Sequence, residues 1–180
     1  MGPSGPSSLN LATHGLTWID PRVPLAHPLD DGSAVLLHRS IRQTATELGS
    51  DEKAYQELMH PLAQAKDALV AGLLRPPGTQ ENLAELARFG FDALRSTTGF
   101  AASTFHEDRT RALLAGNAAH SFLPLEEPLS AGYGLFLALL GHVVGWPIVR
   151  AGAATARHRG ERALQSRVDE IGTADRGNER

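Results

Sequence analysis

The chain has 180 residues, 42% hydrophobic and 21% charged, with a formal net charge of −3 and a pI near 6.2. This is one ordinary domain of globular composition, without a global charge that would draw it onto nucleic acid or an anionic membrane. Cysteine is absent, which excludes disulfides, thiolate metal sites and thiol catalysis together and suits a cytoplasmic location.

Residues 1–8 are rich in Gly, Pro and Ser, lack the charged and apolar regions of a secretory leader, and are expected to be disordered. Residues 16–19 read as a strand ended by Asp20-Pro21. Residues 23–29 carry Pro24 and Pro28, which remove ladder donors and confine the segment to an edge. Asp31-Gly32 is a tight-turn dipeptide, after which residues 33–38 return as a strand.

The period then becomes helical. Ser40 with Gln43 forms a capping box, and Gly49 ends that short helix. Ser50-Asp51-Glu52 opens the next with a cap and acidic residues at its positive end. Tyr55, Leu58, Leu62, Ala65, Leu69 and Leu73 follow on one face, with a kink or break expected at Pro61 near His60. Arg75-Pro76-Pro77-Gly78 is a stop. A helix beginning at Thr79 and Glu81 should bury Leu83, Leu86, Ala87, Phe91 and Leu94 and end near Gly99. Glu107-Asp108 opens another, which runs to about His120 before Pro124. The fold class is thus α+β and predominantly helical: a small N-terminal β-element, four or five helices, and a disordered or marginally helical C-terminal tail.

Residues 129–149 are the most apolar stretch. Their length alone would cross a bilayer, but His142, Pro147 and the interspersed Gly and Ser favour a buried or substrate-facing helix. Residues 151–180 have no aromatic residue and only Leu164, Val168 and Ile171 as large aliphatics, too little to offset ordering entropy except as a marginal helix.

Motifs for chemistry are sparse. No Gly-x-Gly-x-x-Gly and no phosphate-binding Gly-x-x-x-x-Gly-Lys-Ser/Thr occurs, and Gly132 and Gly134 lie inside an apolar helical pattern. None of the eight histidines pairs at the i, i+4 spacing of a helical zinc site. His106-Glu107-Asp108 is better read as a helix start than as a metal site. Glu126-Glu127 is likewise helix-start acid placement rather than a catalytic pair, and no serine has a nucleophile elbow. Arg157-His158-Arg159 and Arg162 are blunted by Glu161, Asp169 and Glu170, which argues against nucleic acid.

Three blocks carry a resemblance. His14-Gly15-Leu16-Thr17-Trp18-Ile19-Asp20-Pro21 with Pro24-Leu25-Ala26-His27-Pro28-Leu29-Asp30-Asp31-Gly32 is the first. The second is Ala118-Ala119-His120-Ser121-Phe122-Leu123-Pro124-Leu125, and the third Gly141-His142-Val143-Val144-Gly145-Trp146-Pro147-Ile148. In this order they resemble the phytoene-dehydrogenase-related FAD-dependent oxidoreductases over residues 9–150. The resemblance implies the substrate-binding or cap region of a flavoprotein, with an apolar small-molecule substrate held against a flavin.

The family's FAD-binding glycine motif has no counterpart here. No catalytic, cofactor-binding or metal residue is therefore carried over, and the chain alone is expected to bind no FAD and be inactive. Candidates for lining a substrate cavity are His120, Tyr133, Phe136, His142 and Trp146. Relatives continue past the third block with a Gly-Gly-Ser turn, whereas this chain reads Arg150-Ala151-Gly152-Ala153-Ala154 and then an arginine-rich tail. With fifteen Arg against two Lys, residues 151–180 are expected to be a non-family tail produced by frameshift or truncation. The alternative is a stand-alone helical binding module for an apolar ligand or a partner protein. The expected partners exclude nucleic acid and a transmembrane passage, and leave membrane-surface association open.

Overall fold

The computed structural model describes residues 12–13, 15–74, 83–150, 157–162 and 164–165, with the side chains of 73–74, 83–86 and 88 outside that description. Its elements in chain order are β1 (Trp18–Ile19), β2 (Leu25–Pro28), β3 (Ala34–Leu37), α1 (Ile41–Thr46), α2 (Glu52–Gln64), α3 (Lys66–Leu74), α4 (Leu83–Ala93), α5 (Thr97–Thr104), α6 (Asp108–Ala118), α7 (Ser130–Val143) and β4 (Ile148–Val149). Short 3-10 turns occupy Gly49–Asp51 and Ala119–Ser121. The fold is predominantly helical with a small β-element, as the sequence pattern predicts.

Two units divide the chain. One combines Met1–Pro21 with Pro147–Arg180. Within it β1 pairs antiparallel with β4, Trp18 opposite Val149, and the Arg150 amide donates to the Thr17 carbonyl. Residues 157–162 and 164–165 of the tail are helical, and the Arg159 guanidinium donates to the Gly15 carbonyl. Residues 1–8 and the remainder of the tail lie outside the described residues, as does the stop at 75–78.

The other unit is Arg22–Trp146. Its hairpin registers Leu25 with Leu37 and Pro28 with Ala34. The turn closes through Gly32 at φ +80, which suits a residue without a Cβ, and the Asp31 carboxylate accepts from the Ser33 amide. Val35 and Leu37 point into the core. Ser40 caps α1 by accepting from the Gln43 amide.

Helix α7 lies at the centre, in contact with α2, α4, α5, α6 and β3. Its buried residues include Ala131, Gly134, Leu135, Ala138, Leu139 and His142. An alternation of polar and apolar faces is missing because the helix is covered on most sides. It has 14 residues, about 21 Å at 1.5 Å per residue, and a bilayer core needs about 30 Å. Among the described residues no helix is long and apolar enough to cross a membrane. Past Val143 the apolar run leaves the helix at Gly145 (φ +78) and becomes β4 in the other unit.

Four expectations need correction. Helix α2 continues through Pro61 to Gln64 and breaks at Ala65, a turn later than expected. The segment expected to be one helix to Gly99 is two, because Ser96 restarts the chain as α5 by capping the Gly99 amide. Asp51 does not cap α2 with its side chain. Its carboxylate instead accepts from the amides of His106 (2.8 Å) and Glu107 (2.8 Å), ahead of α6. Finally, α4 buries Phe89 and Ala93, and leaves Ala87, Phe91 and Leu94 exposed. Both stripes are apolar. The winning one places Ala93 against Gly132, where a Cβ would lie 2.9 Å from the Ala93 Cβ and 3.0 Å from its carbonyl oxygen.

The Asp51 pairing is reciprocal, since the Glu107 carboxylate accepts from the Ser50 hydroxyl (2.7 Å) and amide (3.3 Å). Burial alone would raise the Asp51 pKa, but the amides of His106 and Glu107 outweigh it and hold the value below 3.8. Asp51→Ala should lose about 2–3 kcal/mol, because it strands two amides that served a charged acceptor. A depressed carboxylate stabilises above its unfolded pKa, so this contribution should fade as pH falls below about 4. Chemical denaturation at several pH values checks both, with Asp51→Asn flattening the acid limb. Gly132→Ala should cost about 1–2 kcal/mol net in the same assay, overpacking exceeding a gain of about 1 kcal/mol in helix propensity.

Candidate functional site

Two histidine-centred groups stand out in the unit Arg22–Trp146. The first is at its surface and joins three distant segments. Along β2, Leu25 and His27 share the half-buried side while Ala26 and Pro28 are exposed. The His27 ring lies directly on the backbone of α6 at Gly116, in the space a side chain there would occupy. Nε2 of His27 is buried, with no hydrogen-bond partner among the described residues. Burial lowers the His27 pKa and the neighbouring His120 lowers it further, so its ring favours the neutral form.

His120 sits in the 3-10 turn after α6 and is exposed. Its ring meets Trp146 edge-on, with centroids 6.0 Å apart and planes at 87°. Trp146 is half-buried and follows Gly145, beside which runs the Arg39 side chain. The result is a surface of one indole and two imidazoles, flanked by a guanidinium stem.

The second group is interior. The Tyr55 hydroxyl on α2 is 2.8 Å from Nε2 of His142 on α7, and the rings meet edge-on at 5.9 Å. Burial pushes the Tyr55 hydroxyl well above its usual pKa. Burial also pushes His142 down to about 4; the backbone of Arg39 and His38 works the other way, and His60 and His38 add to the lowering. Beside this pair lies a void of about 10 Å³ lined by Tyr55, Met59, Phe105, Leu114, Asn117 and Leu135, the space of a single water.

Of the five residues the sequence singled out, His120 and Trp146 meet. His142 belongs to the interior pair, Phe136 packs partly buried against the core, and Tyr133 is exposed on α7. They do not gather around one cavity. His27 and Tyr55 are the partners that sequence reasoning missed. No periodicity marks His27, because its position depends on Gly116, which is 89 positions further along in the sequence. The spacing puts Tyr55 on a core face, and nothing local marks its hydroxyl as the neighbour of His142.

Among the described residues no cluster of three or more His, Cys, Asp or Glu could hold a metal ion. Gly132 and Gly134 are packing glycines: a Cβ on Gly134 would sit 3.1 Å from both Ala118 Cβ and the Leu114 carbonyl oxygen. Their amides lie within a helix rather than at a strand–helix turn that could cradle a dinucleotide phosphate. Compared with known proteins, the chain matches no family model, no curated protein and no solved structure.

The interior pair yields a pH prediction. A histidine whose folded pKa is depressed stabilises the protein above its unfolded value near 6.5, and that stability is lost as pH falls through about 4. The His142 ring should stay neutral to about pH 4 in a two-dimensional imidazole titration. Folding stability should drop between pH 6.5 and pH 4, more steeply in the native chain than in His142→Gln. A His142 resonance titrating near 6.5 would contradict this burial.

Proposed function

We propose that this chain is the substrate-holding region of a flavin-dependent oxidoreductase of the phytoene-dehydrogenase-related kind, inert alone and dependent on a flavin held elsewhere. One observation carries the reading. Of the segments on which the sequence resemblance rests, His120 meets Trp146, and His27 lies near enough to His120 to feel its charge, although 119 positions separate His27 from Trp146. In this reading they form the surface across which an apolar substrate lies. The void beside Tyr55, about 10 Å³, is too small for such a substrate.

The chemistry available to the chain's own side chains is binding and exclusion of water. Trp146 supplies a flat apolar face, and the His120 ring fixes its orientation by the edge-on contact. Burial and the nearby His120 keep His27 towards neutrality, which favours apolar contact over charge at this surface. The flavin of this reading, held elsewhere, would supply the hydride-accepting chemistry, and no proton-transfer role is assigned to either histidine.

The test uses the whole chain with Trp18→Phe, which leaves Trp146 as its only tryptophan. Titration with a fluorescent conjugated polyene fatty acid should quench Trp146 emission to saturation. His120→Ala should weaken binding about 5- to 10-fold, in line with loss of one aromatic contact of roughly 1 kcal/mol. Absence of saturable quenching, or purification of the chain with stoichiometric flavin absorbance, would overturn the proposal.

A further inference from the structure

The unit Arg22–Trp146 carries a second surface that uses none of His27, His120 or Trp146. Phe91 in the last turn of α4 and Leu94, the residue after the helix, are 77% and 63% exposed. Leu129 and Tyr133, a turn apart at the start of α7, are each 51% exposed. The two pairs adjoin, because the Leu129 amide donates to the Leu94 carbonyl at 3.2 Å. Together they form a strip on the order of a few hundred Å², the size at which an apolar patch marks an interaction site.

The strip is held rigidly and at a cost. Leu129 adopts φ 74, a left-handed conformation disfavoured for a residue with a Cβ, and still points its side chain outward. Below it the buried Ser130 hydroxyl accepts from the Thr97 amide (2.9 Å) and donates to the Glu127 carbonyl (2.8 Å). Thr98 donates its amide to the Leu125 carbonyl. A glycine at 129 would meet the same backbone demand without strain, so the fold itself has no need of the leucine.

The rim is acidic. Glu126 and Glu127 are exposed immediately before Leu129, and neither enters an ion pair among the described residues. The nearby cation Arg95 is turned away onto α5, where it donates to the Gly99 carbonyl and the Ser103 hydroxyl and lies over the Phe100 ring. Apolar side chains beside unneutralised carboxylates complement an apolar stripe flanked by cations. We propose that this strip docks a basic amphipathic helix of a partner protein, its leucine-type residues seated on Phe91, Leu94, Leu129 and Tyr133 and its Lys or Arg facing Glu126 and Glu127.

The probe is a labelled 15-residue peptide with Leu at helical i, i+3, i+4 and i+7 spacing and Lys elsewhere, titrated onto the full chain by fluorescence anisotropy. Phe91→Ser with Leu94→Ser should weaken binding at least 10-fold. Glu126→Lys with Glu127→Lys should weaken it about 5-fold and reduce its salt dependence. Leu129→Gly should weaken binding while leaving the unfolding midpoint unchanged or higher, which separates the docking role from a structural one. Equal binding of a scrambled or Glu-for-Lys peptide, or indifference to these substitutions, overturns the proposal. So does a dimer in sedimentation that Leu94→Ser dissolves, which would assign the strip to a second copy. Binding to phosphatidylserine-containing vesicles through the same side chains, without peptide binding, would overturn it in favour of a lipid surface.

Discussion

The closeness of α7 to its neighbours is the constraint on which the rest of the unit Arg22–Trp146 depends. Three of its glycines face three different elements: Gly132 meets Ala93 of α4, Gly134 meets Leu114 and Ala118 of α6, and Gly141 meets Leu37 of β3. Where a helix carries no side chain, a neighbouring backbone approaches within ordinary contact distance and gains dispersion energy along its length. That geometry decides more than packing density. Ala93 of α4 sits against Gly132, and the stripe of Phe89 and Ala93 turns inward with it. Phe91 and Leu94 stay outside.

The buried polar groups serve connection. Asp51 and Glu107 bind each other's segments across 56 positions, so the entry to α2 and the entry to α6 are tied by charge-assisted hydrogen bonds. Ser130 ties the start of α7 to the start of α5 through Thr97. Tyr55 does the same for α2 and α7 through His142. Each is a long-range link between helices that pack at a shared core. Their perturbed pKa values follow from this joining function, and a shifted pKa alone is therefore poor evidence for catalysis in this unit.

The sequence made the local events legible. The hairpin turn at Asp31-Gly32, the Ser40 cap and the helices around Tyr55, Leu113 and residues 130–143 are dictated by neighbours a few positions away. What it concealed are choices made at long range. Two apolar stripes coexist on the short helix α4, and the buried one is the stripe that brings Ala93 against Gly132. Ser50-Asp51-Glu52 is good chemistry for a helix start, yet amides 55 and 56 positions away compete for the Asp51 carboxylate and win. Of the candidate cavity residues, His120 and Trp146 meet, but their contact depends on how the chain turns at Gly145 after α7, and His27 joins them only because Gly116 is bare.

These facts bear on where function can reside. The void beside the Tyr55–His142 pair is the size of one water, so an apolar molecule finds no room there without repacking. The proposed recognition lies on the outside, where apolar side chains are costly to display. Two such places are half-buried Trp146 beside His120 and the strip of Phe91, Leu94, Leu129 and Tyr133, with Phe122, Leu123 and Val144 exposed as well. The two differ in character. Around Trp146 the neighbouring groups are rings, suited to a flat unsaturated ligand. Beside Leu129 they are carboxylates, which repel anions and fatty acids and suit a cationic polypeptide. One surface can therefore hold a substrate while the other engages a partner, without either competing for the same side chains.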